Sequence, residues 1–213
     1  MKNTQLEIDF YGQTLRLFAN GALCVKGLWV ISDVHIGRVM HLRKNGYAIS
    51  AQAAYAGIDA LDQFMQHHAP DKLLFLGDLF HAQPNSEWEA FAHWRSQYGN
   101  VEMVLVEGNH DRHLSKFLGD LNLHCVNKWA VHGLHFTHIP PEVRLQPHIC
   151  GHVHPKIMLK GKGRQRLSLP CFYITEELLI MPAFSLLSGG QVLPLHEGSK
   201  AIAIGGGCLW PVP

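Results

Sequence analysis

No two cysteines of this chain stand in a Cys-x-x-Cys spacing, and the five present, Cys24, Cys125, Cys150, Cys171 and Cys208, are odd in number and far apart. That pattern excludes a zinc ribbon and disfavours a disulfide framework, so buried thiols in a reducing, cytoplasmic setting are expected. Also missing is any apolar run long enough to span a bilayer, and Met1 to Tyr11 alternate without the apolar core of a signal peptide. A soluble, intracellular protein is expected. Neither sign of charge dominates, with 18 Lys plus Arg against 17 Asp plus Glu. A globally basic coat for nucleic acid and a strongly anionic tail are both excluded, so any electrostatic steering must be local. Internal repeats and low-complexity segments are absent too.

What the chain has in quantity is histidine, 16 residues, which makes a metal site worth seeking. At 213 residues and 47% hydrophobic, it is long enough for one large α/β domain, assigned here to residues 1–213.

Residues Gln5 to Val25 read as a hairpin or meander turning at Asn20-Gly21, and Leu28 to Ile31 as a short strand. Ala54, Ile58, Leu61 and Met65 recur at helical spacing between Ser50, a candidate N-cap, and Pro70. Leu73 to Leu76 is a strand, Glu87 to Tyr98 a helix with Ser86 as its cap, and Met103 to Val106 a strand. This order predicts a parallel βαβαβ half. After a short helical segment near Arg112 to Leu118 the texture becomes strand-rich, with strands expected at 134–137, 148–150, 156–159, 167–174, 178–181 and 191–195. Gly205-Gly206-Gly207 is expected to leave the last residues mobile. Two sheets packed face to face with helices outside, inside one domain, follow from this division.

Five clusters each come directly after an apolar strand: Asp33 with His35, Asp78, Asn109-His110-Asp111, His138, and His152 with His154. Any one alone is more simply a turn former or a core histidine, at odds of roughly one in two or better. All five in order leave little room for that reading. Asp33 and His35, two apart, would project to one side of an extended segment and grip one ion. Asp78 could bridge two ions, Asn109, His138 and His152 would complete a second site, and His154 would return to the first. Imidazole, carboxylate and amide oxygen without thiolate suit Mn²⁺, Fe²⁺ or Zn²⁺. Two such ions ~3.5–4 Å apart would hold a phosphate oxygen and orient a water of lowered pKa for in-line attack. Phosphoester hydrolysis is the implied reaction. His110, without a metal role here, is left to stabilise charge or protonate the leaving oxygen, with Asp111 orienting it. The glycine of Gly108-Asn109-His110-Asp111 is expected to let the chain turn where the strand ends.

As a set, Asp33-Val34-His35, Gly77-Asp78, Gly108-Asn109-His110-Asp111, His138 and Gly151-His152-Val153-His154 resemble the five motifs of the calcineurin-like metallophosphoesterase superfamily. That resemblance implies a four-layer α/β/β/α sandwich of two mixed sheets flanked by helices, with a dinuclear metal centre on loops at one end. His138 is preferred to His132 and His135 because it follows the alternating strand and precedes Ile139-Pro140-Pro141. Gly77-Asp78-Leu79-Phe80-His81 departs from the protein phosphatase form of the second motif, which disfavours a phosphoprotein substrate. The whole chain, including Leu169-Pro170-Cys171-Phe172 and 181–190, is similar to the bacterial ligase-associated DNA damage response endonuclease (PdeM) family. This implies a Mn²⁺-dependent DNA phosphodiesterase acting in repair beside an ATP-dependent DNA ligase and its associated helicase or exonuclease.

Between Arg144 and Thr175 there is no Asp or Glu, while Arg144, Lys156, Lys160, Lys162, Arg164 and Arg166 are basic. A basic loop just after His154 could hold a phosphate backbone against the metals. A lysine-protected edge hairpin is an equally good reading. Arg38, His81 and Arg112 are further candidates for contact with phosphate. Hydrolysis of small nucleotides, cyclic nucleotides or nucleotide-sugar pyrophosphates is the enzymatic alternative, a non-catalytic scaffold the other, and exposed edge strands make a homodimer an open expectation.

Overall fold

The computed structural model describes residues 3–143, 146–185 and 187–212; Met1 and Arg144, quoted above, and Leu186 within 181–190 lie outside them. Strands β1 (Gln5–Phe10), β2 (Gln13–Phe18), β3 (Leu23–Val25) and β4 (Leu28–Ile31) form the expected meander, joined antiparallel in order. Then α1 (Arg38–Lys44), α2 (Ala56–His68), β5 (Lys72–Phe75), α3 (Ser86–Gln97), β6 (Glu102–Val106), α4 (Ser115–Leu118) and β7 (His124–Val126) follow. The run β4, β5, β6, β7 is parallel, so the expected βαβαβ half closes a seven-stranded mixed sheet.

The second sheet takes β8 (Trp129–Val131), β9 (Leu134–Thr137), β10 (His148–Cys150), β11 (Pro155–Lys160), β12 (Arg166–Ile174), β13 (Leu178–Ile180), β14 (Gln191–Val192), β15 (Lys200–Gly205) and β16 (Cys208–Val212). It too is mixed: β9, β10 and β13 run parallel, while β11 to β12 and β15 to β16 are antiparallel hairpins. The last hairpin corrects the reading of the glycine run. Gly205 ends β15, Gly206 and Gly207 make the turn, and β16 pairs back along its length.

Alternation along the strands explains the layering. One face of each sheet supplies a shared interior of Leu15, Leu17, Val30, Leu74 and Val104 from the first, and Phe136, Ile149, Phe172, Leu179 and Ile202 from the second. The other face of the first sheet, with Ile31, Phe75 and Leu105, is covered by Leu61 and Phe64 of α2 and Trp88, Phe91 and Trp94 of α3. Among the described residues the helices belong to this side alone. The outer face of the second sheet, with Ile157, Cys171 and Tyr173, packs instead against Leu193 and Leu195 of an extended segment, and the Tyr173 hydroxyl donates to Pro194 O at 2.9 Å.

Two caps differ from expectation. Ser50 caps a 3₁₀ turn, Ala51–Ala54, that leads into α2, and Asn85, not Ser86, caps α3 by accepting from Glu87 N. Glu87 in turn reaches across to accept from Gly37 N and Met40 N, both at 2.8 Å. A buried carboxylate from α3 therefore holds the start of α1, a helix with no side-chain cap of its own.

Candidate metal centre

At the carboxyl ends of β4, β5 and β6 the chain leaves the first sheet through loops that stay zipped together. Asp33 N donates to Gly77 O at 3.1 Å, His35 N to Asp78 O at 3.0 Å and Ile36 N to Leu79 O at 2.8 Å. The second sheet contributes the loop after β10, where Gly151 N donates to His138 O at 3.0 Å. Asp33, His35, Asp78, His152 and His154 all have φ between 47° and 67°. Non-glycine residues seldom adopt this left-handed region, and such backbone strain persists only where the surroundings over-determine it. The extended geometry expected for Asp33 and His35 is thus replaced by two left-handed residues flanking Val34, which turn both side chains to one centre.

Among the described residues three sets of side chains converge, one of them His35, His81 and His110 at the rim and two at the centre. In the first central set, Asp33, His35 and His154 bring donor atoms within 4.8 Å of one another; in the second, Asp78, His138 and His152 do the same. His154 Nε2 lies 3.0 Å from Asp33 Oδ1 and 3.3 Å from His35 Nε2. His138 Nε2 lies 3.4 Å from Asp78 Oδ1 and 3.2 Å from His152 Nδ1. His138 is therefore brought in, while His132 sits on a turn with φ 56° and His135 stacks beside His148. Asn109 is exposed, next to the His110 amide that donates to Asp78 Oδ1 at 3.0 Å.

Three glycines exist because these side chains need the space. A Cβ on Gly77 would lie 2.1 Å from the His138 ring, one on Gly108 2.1 Å from Asp78 Oδ1, and one on Gly151 1.9 Å from Ser32 Oγ and 2.5 Å from Asp33 Oδ2. Gly108 has no positive φ, so close approach and not turning is what it supplies. Ser32, missed in the sequence, places its hydroxyl 2.5 Å from Asp33 Oδ2 and 3.0 Å from Leu76 O. A polar residue closing an apolar strand was the available signal.

Proton chemistry follows from burial and neighbours. Burial would depress His138, but its hydrogen bond to Asp78 and the charges of Asp33 and Asp78 prevail, and it is raised to about 9. Burial would raise the Asp78 carboxyl, yet His138 and the His110 amide hold it well below the usual range. Burial lowers His35 to about 3 and, with the positive charges of His110 and Arg38, His81 to about 4. Neutral imidazole is the ligand form, so a cation meets His35 already neutral and displaces the proton His138 shares with Asp78.

A divalent ion fits the donor set. Asp33 Oδ2 accepts from Ser32 and from His152 N, whereas Asp33 Oδ1 is buried without a hydrogen bond and faces His154. A buried carboxylate oxygen left open toward two imidazoles is what a cation would complete. His35 Nδ1 meets His81 Nδ1 at 3.2 Å, an outer partner that leaves His35 Nε2 facing the centre.

The expected pairing of Asp111 with His110 does not form. Asp111 is buried and turns inward to accept from Gly108 N, Leu79 N and Phe80 N at 2.9, 3.3 and 3.0 Å. Burial raises it to about 6 against those donors. It ties the loop after β6 to the loop after β5. His110 is oriented by the His81 carbonyl oxygen, 3.1 Å from its Nδ1, and stacks on the His81 ring. Its Nε2 stands 4.0 Å from Asp78 Oδ2 on a partly exposed side chain. Arg38 lines a small pocket with His35, Arg112 is exposed on the 3₁₀ turn after His110, and Lys160, Lys162, Arg164 and Arg166 stand exposed on the β11–β12 hairpin, away from the cluster.

Two packed mixed sheets with an Asp and His cluster on their strand-end loops are the build of a metal-dependent phosphoesterase. The profile of the calcineurin-like phosphoesterases matches residues 27–200, and the chain belongs to that family. It is similar to the crystal structure of Pseudomonas putida nuclease MPE, at 28% identity and TM-score 0.81, over 98% of this chain and 100% of that one. Yfce, a phosphoesterase from E. coli, is 17% identical with TM-score 0.43, over 87% of this chain and 97% of that one. No curated protein sequence matches. No helix among the described residues is long and apolar enough to cross a membrane.

Proposed function

We propose that this phosphoesterase hydrolyses phosphodiester bonds in DNA with two divalent ions, Mn²⁺ preferred and Fe²⁺ or Zn²⁺ compatible with the same donors. Asp33, His35 and His154 hold one ion, Asp78 bridges, and Asn109, His138 and His152 complete the other. When bound, the pair supplies Lewis acidity to a phosphate oxygen and acidifies water. His110, held by the His81 carbonyl and stacked on His81, carries the proton that the departing oxygen takes. His81 also steadies His35, and Arg38 and Arg112 are the further candidates for contact with phosphate.

The observation that carries DNA over a small ester is the basic hairpin. Strand β11 starts directly after His154 and runs to Lys160, opposite Arg166. Six residues at ~3.3 Å put these exposed cations roughly 20 Å from the metal centre, a span only a polymeric polyanion covers. The nuclease of P. putida named above supports the same reading. Replacing Lys160, Lys162, Arg164 and Arg166 together by glutamine is expected to weaken DNA binding and flatten its dependence on log salt by up to about 3.6 in slope. Bis(4-nitrophenyl) phosphate turnover should persist. Unchanged DNA affinity would assign the hairpin to edge protection. The resemblance to the ligase-associated family further supports a role in repair beside an ATP-dependent ligase. Co-purification of that ligase with the tagged chain tests the pairing, and its absence from stringent pull-downs would remove it.

A further inference from the structure

The segments Met181–Ser185 and Leu187–Gly190 have no part in the metal cluster or the hairpin, yet they are fastened to the loops that carry the ligands. Phe184 N donates to Ser32 O at 2.8 Å and Ser185 N to Asp33 O at 3.2 Å. Farther on, Gln191 N donates to His154 O at 3.2 Å. Gly190 packs so closely that a Cβ would lie 2.4 Å from the His154 carbonyl oxygen and 2.8 Å from Lys156 Cε. Held at these points, the two segments form one wall of a cavity of about 250 Å³ beside His154. Asn20 on the β2–β3 turn, Pro155 and Lys156 opening β11, and Pro170 on β12 form the others, where a turn of the first sheet meets the second sheet.

The lining is mostly apolar, with Pro170 exposed and Pro155 and Phe184 themselves buried. Among the described residues no acidic side chain lines it. Asn20 Oδ1 accepts from Ala22 N at 3.1 Å, which leaves the Asn20 amide nitrogen free to donate, and the Lys156 ammonium is without an ion pair among the described residues. An apolar slot with a few donors is the usual composition of a small-molecule site, and this volume lies just under the ~300–1,000 Å³ of such sites. It admits one ring system and not a whole nucleotide.

Resting on the phosphodiesterase reading above, the geometry points to this cavity as the seat of a nucleobase borne by the nucleotide at the scissile phosphate. With the phosphate at the cluster that includes His154, the base enters against Pro170, beside the buried Pro155 and Phe184. Asn20 donates to a ring acceptor, and Lys156 faces the next phosphate of the strand. Phe184, Ser185, Ser188 and Gly189 thereby shape a base subsite, while the backbone bonds of Phe184, Ser185 and Gln191 to Ser32, Asp33 and His154 keep that subsite in register with the metal centre.

Three esters with a common leaving group test this in the Mn²⁺-loaded protein: methyl 4-nitrophenyl phosphate and the 3′- and 5′-(4-nitrophenyl phosphates) of thymidine. Because the leaving group is shared, differences read the base and sugar. At least one thymidine ester is expected to exceed the methyl ester by about 10-fold or more in kcat/KM. Ser188→Phe, which fills the cavity, should bring it to the level of the methyl ester and leave methyl ester turnover unchanged. Asn20→Asp keeps the bond to Ala22 N but removes the donor, and should lower the preference several-fold; it decides alone if Ser188→Phe fails to fold. Equal turnover of all three esters by the unaltered protein, or an unchanged preference in the folded variants, would overturn the assignment. Base preference without cleavage of DNA would retain the cavity and overturn the DNA reading; DNA cleavage without base preference would do the reverse.

Discussion

His110→Ala is expected to reduce DNA cleavage by about 10²- to 10⁴-fold, the range for loss of a general acid, and to leave bis(4-nitrophenyl) phosphate turnover within a few-fold. The contrast arises from the leaving groups. Scission of DNA expels an alkoxide that needs a proton, whereas 4-nitrophenolate departs as a stable anion. His110 is placed to provide that proton, with Nδ1 engaged by the His81 carbonyl and Nε2 on a partly exposed edge 4.0 Å from Asp78. It also groups with His35 and His81 closely enough to hold an ion. If His110 served as a ligand, both substrates would suffer alike. Parallel loss of the two activities, measured as kcat/KM at saturating Mn²⁺, would therefore reject the acid role.

Gly108→Ala is expected to abolish binding at the second ion site and lower activity on every phosphodiester by more than about 10²-fold, the scale on which ångström-sized misplacement acts. The added carbon would lie 2.1 Å from Asp78 Oδ1 and 2.3 Å from Asp78 N. Neither can retreat, since Asp78 O accepts from His35 N and the buried Asp111 carboxylate ties Gly108 to Leu79 and Phe80. Gly99→Ala is the control, because its Cβ would meet only Ser96 O at 3.8 Å. Calorimetric titration with Mn²⁺ alongside thermal melts checks this pair. Undiminished Mn²⁺ stoichiometry in folded Gly108→Ala would show that the crowding is relieved some other way.

Apolar runs ending in Asp, Asn or His made the parallel half and the cluster readable, because strand periodicity and ligand type are local properties. What was misread is non-local. The inward turn of Asp111 depends on amides of Leu79 and Phe80 in another loop, and the geometry of Asp33 and His35 on left-handed φ values imposed by the β5 loop. Helix α1 left no signal because its start is held by Glu87 of α3. Strands β7 and β8 are three residues long, too short for periodicity, and the β15–β16 hairpin was hidden by reading its glycine turn as a frayed end. Helices outside both sheets were expected from the division of the chain as well as from the resemblance, and among the described residues the extended segment at Leu193 and Leu195 covers the second sheet instead.

The central claim is that Asp78 links two ion sites that together cut DNA. Metal-depleted protein, titrated with Mn²⁺ at concentrations where binding is stoichiometric, can be assayed on DNA at each step. Cleavage should stay near background through the first equivalent per chain and rise through the second. Full cleavage at one equivalent, or intact DNA at every Mn²⁺ concentration while 4-nitrophenyl esters are hydrolysed, would contradict it.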